Sequence, residues 1–383
     1  MATTFSTRTG WDIRESALAA AIRTAREGGR QLIDLTISNP TVCGFEYDSA
    51  KILGALTYAA AMTYDPDPRG ILSARQAIAE YYTAHQAEVD PGNMVLTTST
   101  SEAYSYLLRL LCNGGDEVLA AQPSYPLFDY LADLEDVRLL SYPLFYDFGW
   151  WIDHAELERR ITPRTRAILL VHPNNPTGHT TRRAERERLE AFCLQHKLTL
   201  IVDEVFLDYG IAEPVETFAR GPHPVLTFVV GGLSKICGLP QMKAAWLVGL
   251  GPEAELREAM GRLEIVADTF LSMNAPVQHA LPVWLAGRES IQRQIRERVQ
   301  VNLAIAQASA IEVLRVEAGW SAILKLPQVN VSVEELIERA GVIVHPGSFY
   351  GMNEANRVVI SLLGETEALR EGLKKLKCYF EPK

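Results

Sequence analysis

Positive charge is the scarcer sign in this chain: 37 lysines and arginines stand against 47 aspartates and glutamates, a formal net charge of −10. A general role on nucleic acid or on an anionic membrane needs a basic face, so neither is expected as a partner. Long apolar runs are missing too. None reaches the roughly 18 residues that span a bilayer. The start, Met1-Ala-Thr-Thr-Phe-Ser-Thr-Arg8, has no apolar signal-peptide core and predicts a flexible arm. Cysteine is sparse. Cys43, Cys112, Cys193, Cys237 and Cys378 are odd in number, scattered and not at metal-ligand spacing. They read as reduced thiols of a cytoplasmic protein, Cys237 as a packing residue, and no metal site is expected. Repeats and low-complexity tracts are absent. What remains is ordinary globular composition: 383 residues, 48% hydrophobic and 22% charged, enough for two domains and a large core. In so acidic a chain, any clustered cation must be placed locally.

An amphipathic helix is predicted over 15–28, ended by Gly28-Gly29, and a strand over 32–37. A loop over 64–70 carries two prolines and a glycine, and a helix follows over 72–86. From residue 94 short apolar strands alternate with helices. Strands are predicted at 94–97, 117–121, 137–141, 166–172, 198–203, 225–230 and 244–249. Helices are predicted at 101–112, 127–134, 154–161 and 182–196. The alternation predicts an α/β fold, a mostly parallel sheet covered by helices on both faces. After about residue 275 the pattern becomes mixed, with helices at 291–311, 333–340 and 365–376 and strands at 322–326, 342–344 and 358–361. A smaller α+β domain is expected there, joined by the N-terminal segment. The predicted division is a large domain over 41–275 and a small one over 1–40 plus 276–383.

In such sheets ligands bind beyond the carboxyl ends of the strands, so the polar residues at those ends matter most. Lys235 sits on a small-residue turn, Gly231-Gly-Leu-Ser-Lys235, between two apolar runs. A lysine on a turn is commonly a solvated surface group. Desolvated, it becomes a neutral amine nucleophile towards carbonyls. Thr97-Thr-Ser-Thr-Ser-Glu-Ala103 opens a helix with hydroxyls and free N–H groups, which is either a plain cap or an anion cradle. Tyr125, fixed between Pro123 and Pro126, is either a turn residue or a platform for a flat ring. His172-Pro-Asn-Asn-Pro-Thr-Gly178 is the most specific string, and its prolines and glycine set an amide side chain in place. His172 itself reads as structural. Asp203 closes an apolar strand and needs a cationic partner there. Arg357 begins a strand of the smaller domain. It is either a surface residue or a forked cation suited to a carboxylate.

In this order, the strings resemble the class I/II aminotransferases of the fold-type I pyridoxal phosphate enzymes. The matching residues are Ser38-Asn-Pro40, Tyr64 with Gly70 and Leu72, Ser99-Thr-Ser-Glu-Ala103, Pro123-Ser-Tyr125, Asn174-Asn-Pro-Thr-Gly178, Asp203-Glu204, Ser234-Lys235 with a cation eight residues on, and Arg357. The resemblance implies a fold-type I large domain and an enzyme that moves an amino group from an amino acid to a 2-oxo acid through pyridoxamine phosphate. It implies catalytic roles for Lys235, as the Schiff-base lysine and proton carrier, and for Asp203, as partner of the pyridine nitrogen. Asn175 would hydrogen-bond the ring's phenolic oxygen and Tyr125 would stack on the ring. Ser99, Thr100 and Ser101 would hold the phosphate, with Ser234 and Lys243 nearby, and Tyr64 would reach the neighbouring subunit's phosphate. Ser38, Asn175 and Arg357 would bind substrate, Arg357 through its α-carboxylate. A homodimer with shared sites follows from the same resemblance.

The chain departs from the family pattern at five places. Lys243 stands where an arginine is usual, Gly232 where a serine is frequent, and Ala245 where a glycine is frequent. Phe206 replaces a tyrosine, and Ser99 a glycine. These departures predict a different hold on the cofactor. The same residues would serve a lyase or decarboxylase on an amino acid, which is the alternative reading. A non-catalytic cofactor-binding regulator is the remote one, and the acidic balance argues against it. The segment 268–276 offers no second cation, which leans towards substrates with neutral or aromatic side chains.

Overall fold

The computed structural model describes residues 4–328 and 331–381. The outermost ends of the expected small domain, residues 1–3 and 382–383, lie outside the described residues. In the first half, α1 (Ala17–Glu27) and β1 (Ile33–Asp34) are followed by α2 (Ser49–Gly54), α3 (Leu72–Ala84), β2 (Met94–Thr97) and α4 (Thr100–Leu111). Next come β3 (Glu117–Gln122), α5 (Leu127–Leu134), β4 (Arg138–Tyr146), β5 (Trp150–Ile152), α6 (His154–Arg160), β6 (Thr165–Val171) and α7 (Arg183–His196). The chain continues through β7 (Thr199–Asp203), β8 (Thr227–Gly232), the single turn α8 (Leu233–Ile236), β9 (Ala245–Leu250), α9 (Glu253–Phe270), α10 (Ala275–Ala286) and α11 (Arg288–Gln307). It ends with β10 (Glu312–Val313), β11 (Ser321–Lys325), α12 (Val333–Glu335), β12 (Val342–Ile343), β13 (His345–Pro346), β14 (Arg357–Ser361) and α13 (Thr366–Phe380).

Eight strands form the main sheet in the order β2-β9-β8-β7-β6-β3-β4-β5. The pairs β8–β7, β7–β6, β6–β3 and β3–β4 are parallel. β9 runs antiparallel to both its neighbours, and β5 is antiparallel to β4. β7 and β8 are buried along their whole length and β6 everywhere but at Arg166, which is why they read as nearly unbroken apolar runs. Alternate residues face two cores. Leu200, Val202, Ile168, Leu170 and Val229 pack under α3, α7 and α10, with Ile78, Leu189 and Trp284. Ile201, Leu169, Phe228 and Val230 pack under α4, α5 and α9, with Leu107, Phe128 and Leu263. The result is three layers, as the alternation of strands and helices predicts.

A second, four-stranded antiparallel sheet, β10-β11-β14-β13, has its own core with α1, α11 and α13. β1 pairs in parallel with β12, over two residues rather than the six expected. Three helices, α2, α9 and α10, lie where no element was predicted. α10 is apolar nearly all round and holds Pro282 inside it, so it lacks a one-sided stripe to read. Its Val277, Leu281 and Trp284 belong to the large core although they follow residue 275.

The carboxyl ends of β2, β3, β6, β7 and β8 share one edge of the sheet, together with the first residue of β9. The smaller sheet faces that edge. The Gln122 side-chain amide donates to the Gly351 carbonyl at 2.8 Å, and the Ser124 N–H to the Tyr350 carbonyl at 3.1 Å. A turn of the smaller unit is thus hung on a strand end of the larger.

Candidate active site

A cavity of about 480 Å³ opens at this edge. That size suits a small organic ligand. Its walls bring together Ser38, Ser99, Thr100, Ser101, Tyr125, Asn175, Asp203, Ser234, Lys235 and Lys243. Two expected residues stand apart from it. Arg357 is absent from the lining, and Tyr64 is 81% exposed on its loop, near Leu271 and Met273.

Each group is set by local chemistry. Ser99 caps α4 by accepting from the Glu102 N–H at 3.2 Å, while the Glu102 carboxylate turns back to accept from the Thr98 N–H at 2.7 Å and the Ser272 hydroxyl at 2.9 Å. This is a capping box in all but its exact register. It leaves the first-turn N–H groups and three hydroxyls facing the cavity, and helix starts attract anions. Lys243 adds a cation and sits in the left-handed region, at φ 53°. Asn175 is held by the Ser321 hydroxyl, which donates to its Oδ1 at 3.3 Å and leaves its NH₂ free to donate. The turn that carries it, closed by the Gly178 N–H on the Asn174 carbonyl at 2.9 Å, needs Gly178, whose φ is +69° and where a Cβ would meet the Ala318 carbonyl oxygen at 2.6 Å.

Asp203 is buried at the end of β7, and burial raises its carboxyl above the usual range. Three groups oppose that. The Tyr104 hydroxyl donates to Oδ2 at 2.5 Å, the Val205 N–H donates to Oδ1 at 2.9 Å, and Lys235 adds its charge. Lys235 rides on α8, whose backbone is pinned by two donors. The Tyr209 hydroxyl bonds its carbonyl at 2.7 Å, and the Gln292 amide bonds that of Ile236 at 2.9 Å. Its Nζ lies 5.5 Å from the Trp320 ring centre and 6.0 Å from that of Phe206. Burial lowers the proton affinity of Lys235, with Asp203 acting against it. The amine is therefore neutral more readily than a surface lysine's, as a nucleophile requires.

The family departures find partners here. Gly232 and Ala245 face each other in the β8–β9 register. A Cβ added at Gly232 would approach that of Ala245 to 3.1 Å, so a serine here and an alanine there do not fit comfortably together. Phe206, without a hydroxyl, packs edge-on against Trp320 at 5.4 Å.

Arg357 is engaged elsewhere. It pairs with Glu354 at 2.8 Å and lies 5.6 Å from the Trp150 ring centre. His172 is walled into structure, accepting from the Thr181 N–H and bonded to the Glu216 carbonyl. Cys237 is buried against the Trp284 carbonyl, and all five cysteines are free. Several lining residues carried no signal in the sequence: Tyr104, Trp320, Ser321, His345 and Tyr350. Their strings are ordinary core or turn residues, and only the tertiary fold brings them here.

The family model for class I and II aminotransferases matches residues 60–376. The chain belongs to this family. It is 30% identical over 284 residues to the glutamate-pyruvate aminotransferase AlaA of Escherichia coli K12, covering 73% of this chain and 70% of that protein. It is 32% identical over 289 residues to the alanine aminotransferase of Mycobacterium tuberculosis H37Rv, covering 74% and 66%. Its fold superposes on that of an alanine aminotransferase from Pyrococcus furiosus with a TM-score of 0.88, at 22% identity and with 98% and 99% of the two chains covered. The protein is thus an aminotransferase, and aminotransferases of this class use pyridoxal phosphate. The residues present fit that group. A hydroxyl-lined helix start beside Lys243 suits a phosphate, Asp203 lies in a cavity with an accessible amine, and Tyr125 offers a flat face. Among the described residues no helix is long and apolar enough to cross a membrane, and no group of three or more acidic, histidine or cysteine residues could hold a metal ion.

Proposed function

We propose that the protein exchanges an amino group between the alanine–pyruvate pair and a second amino acid with a neutral or aromatic side chain. The observation that carries the chemistry is a half-buried amine, Lys235, in one cavity with Asp203, Asn175 and the hydroxyls of Ser99, Thr100 and Ser101. The choice of pair rests on relatives named for alanine, glutamate-pyruvate and arginine–pyruvate transfer, which share alanine or pyruvate. The side-chain preference rests on apolar walls, Leu127, Phe128, Leu131 and Phe349, and on a cavity whose described lining contains no arginine for a second carboxylate.

Pyridoxal phosphate, when bound, supplies the carbonyl carbon to which the substrate amine attaches and a ring that accepts the electron pair left by the Cα–H bond. The residues do the rest. Ser99, Thr100, Ser101, Ser234 and Lys243 anchor the phosphate. Tyr125 would stack on the ring, and the Asn175 NH₂ would donate to its phenolic oxygen. Asp203 holds the proton on the ring nitrogen. Lys235 would act as the base that takes the proton from the substrate Cα and as the acid that gives it back. Ser38 borders the substrate, and Arg357 takes its α-carboxylate by leaving Glu354. Glu354 is half-exposed although Arg357 is mostly covered, so solvent screens one side of the pair and a substrate carboxylate can displace it.

We also propose a homodimer in the cytoplasm, with Tyr64 serving the partner's phosphate site. Exposed apolar residues on one side of the large unit, Met62 at 91% and Tyr64 among them, support the dimer, and five unpaired cysteines support the location. The acidic balance supports the absence of nucleic acid as a partner.

Mixing the loaded enzyme with alanine tests the reading. The cofactor's visible band should shift to that of its amine form while one equivalent of pyruvate appears, and added pyruvate should reverse it. Ammonia or carbon dioxide in place of reversible transfer, across a broad amino-acid panel, would overturn the proposal. Lys235→Ala should lose the visible band of the lysine-bound cofactor.

A further inference from the structure

Asp203 presents a physical problem. Its cavity is dry enough to raise the carboxyl, and a carboxyl that takes up a proton can no longer hold one on a ring nitrogen. Lys235 helps to keep it ionised, but that help falls once the amine is engaged in chemistry. The remaining donors are the Val205 N–H and the Tyr104 hydroxyl.

Tyr104 is 3% exposed and lies in the first turns of α4, the helix whose start lines the cavity. Its ring packs edge-on against Phe128, with centres 5.0 Å apart, which fixes the direction of the hydroxyl. That hydroxyl donates to Asp203 Oδ2 at 2.5 Å, while Oδ1 is held by the Val205 N–H at 2.9 Å. An ionised carboxylate offers about four acceptor directions, so room remains for a ring N–H. Burial and Asp203 both keep the Tyr104 phenol protonated, and therefore a donor. The other titratable group acting on Asp203 is Lys235 from α8, while Tyr125 from the β3–α5 turn and Tyr82 from α3 feel the charge of Asp203 and stay protonated.

We propose that Tyr104 is a positioning residue which holds Asp203 as a carboxylate aimed at the cofactor's ring nitrogen. This rests on the role given to Asp203 above. The link runs from one helix to the ring: α4 offers its N-terminus to the phosphate and, one turn on, fixes the counter-ion of the nitrogen.

Tyr104→Phe removes only the oxygen and keeps the packing against Phe128. The holoenzyme is rebuilt from apoprotein and pyridoxal phosphate labelled with ¹⁵N in the ring, and two quantities are read. The ring-nitrogen chemical shift should move from the protonated towards the unprotonated position. The dissociation constant for pyridoxal phosphate should rise about tenfold, the scale of one charge-assisted hydrogen bond. Tyr104→Leu, with its circular dichroism matched to the parent, should give the same shift change. A ring nitrogen still fully protonated in both variants, with affinity within twofold of the parent, overturns the proposal. Asp203→Asn separates the two claims. If it moves the nitrogen shift while Tyr104→Phe does not, Tyr104 has no part. If neither moves it, the role of Asp203 itself is wrong.

Discussion

At the scale of single residues, the departures from the family pattern are physical adjustments rather than scattered losses. Gly232 and Ala245 illustrate this because they face each other across two strands, with room for one small side chain between them. Gly232→Ser should cost about 1–2 kcal/mol alone and less when combined with Ala245→Gly. Chemical denaturation of the two single variants and the double variant checks it, and simple additivity would mean that the sites do not couple. A second residue-level expectation concerns Glu204. Its buried carboxyl accepts from the Thr217 hydroxyl at 2.6 Å and the Phe218 N–H at 2.5 Å, yet burial pushes it up to about 7. A folded value above the unfolded one means that the folded state binds the extra proton. Its stabilising contribution is therefore complete below about pH 4 and is lost as pH rises through about 7. The loss amounts to roughly 3 kcal/mol. Glu204→Gln should flatten the fall in unfolding free energy between pH 5 and 8, and an unchanged slope would assign that fall to other groups.

At the scale of elements, the site was legible where chemistry sits at a strand end. Asn175, Asp203 and Lys235 each close or follow an apolar run, and a strand's end can be read from the run alone. Tyr104 could not be read this way. It falls on the buried face of α4 among Ala103, Leu107 and Leu108, so its spacing says core, and its hydroxyl acquires meaning only through Asp203, 99 residues away in sequence. Trp320 and Ser321 are hidden similarly, since they reach the cavity from the smaller sheet. Arg357 was legible as a residue but not in its resting contact, because the turn that carries Glu354 has no periodic signature. That contact carries a prediction. Glu354→Gln should free Arg357 and lower KM for the amino acid up to about fivefold, with kcat nearly unchanged. Steady-state rates decide it, and an unchanged or higher KM would mean that Glu354 does not compete for the clamp.

At the scale of the molecule, the three-layer unit followed from alternation, while α10 escaped because a helix apolar nearly all round has no stripe to betray it, and α9 because exposed Ile265 and Phe270 blur its one buried face. The apolar residues left uncovered gather beside them. Met62 and Tyr64 lie on the loop before α3, Ile265 and Phe270 on α9, and the loop borders the end of that helix through Leu271 and Met273. If this side is the dimer face, Met62→Asp should shift the sedimentation coefficient to that of a single chain. Pyridoxal phosphate affinity should fall with it, since Tyr64 would lose the partner it serves. A variant that remains dimeric with full affinity would place the contact elsewhere.

The pairing of Gly232 with Ala245 also has a historical reading. If an ancestor carried serine at the first position and glycine at the second, the two changes could not have been fixed in either order with equal ease. Alanine arriving first would have met the serine across the strands. Glycine arriving first would have opened the space that alanine later filled. The sheet register thus favours one route through sequence space, with a Gly/Gly intermediate, and a reconstructed lineage of this branch should contain it.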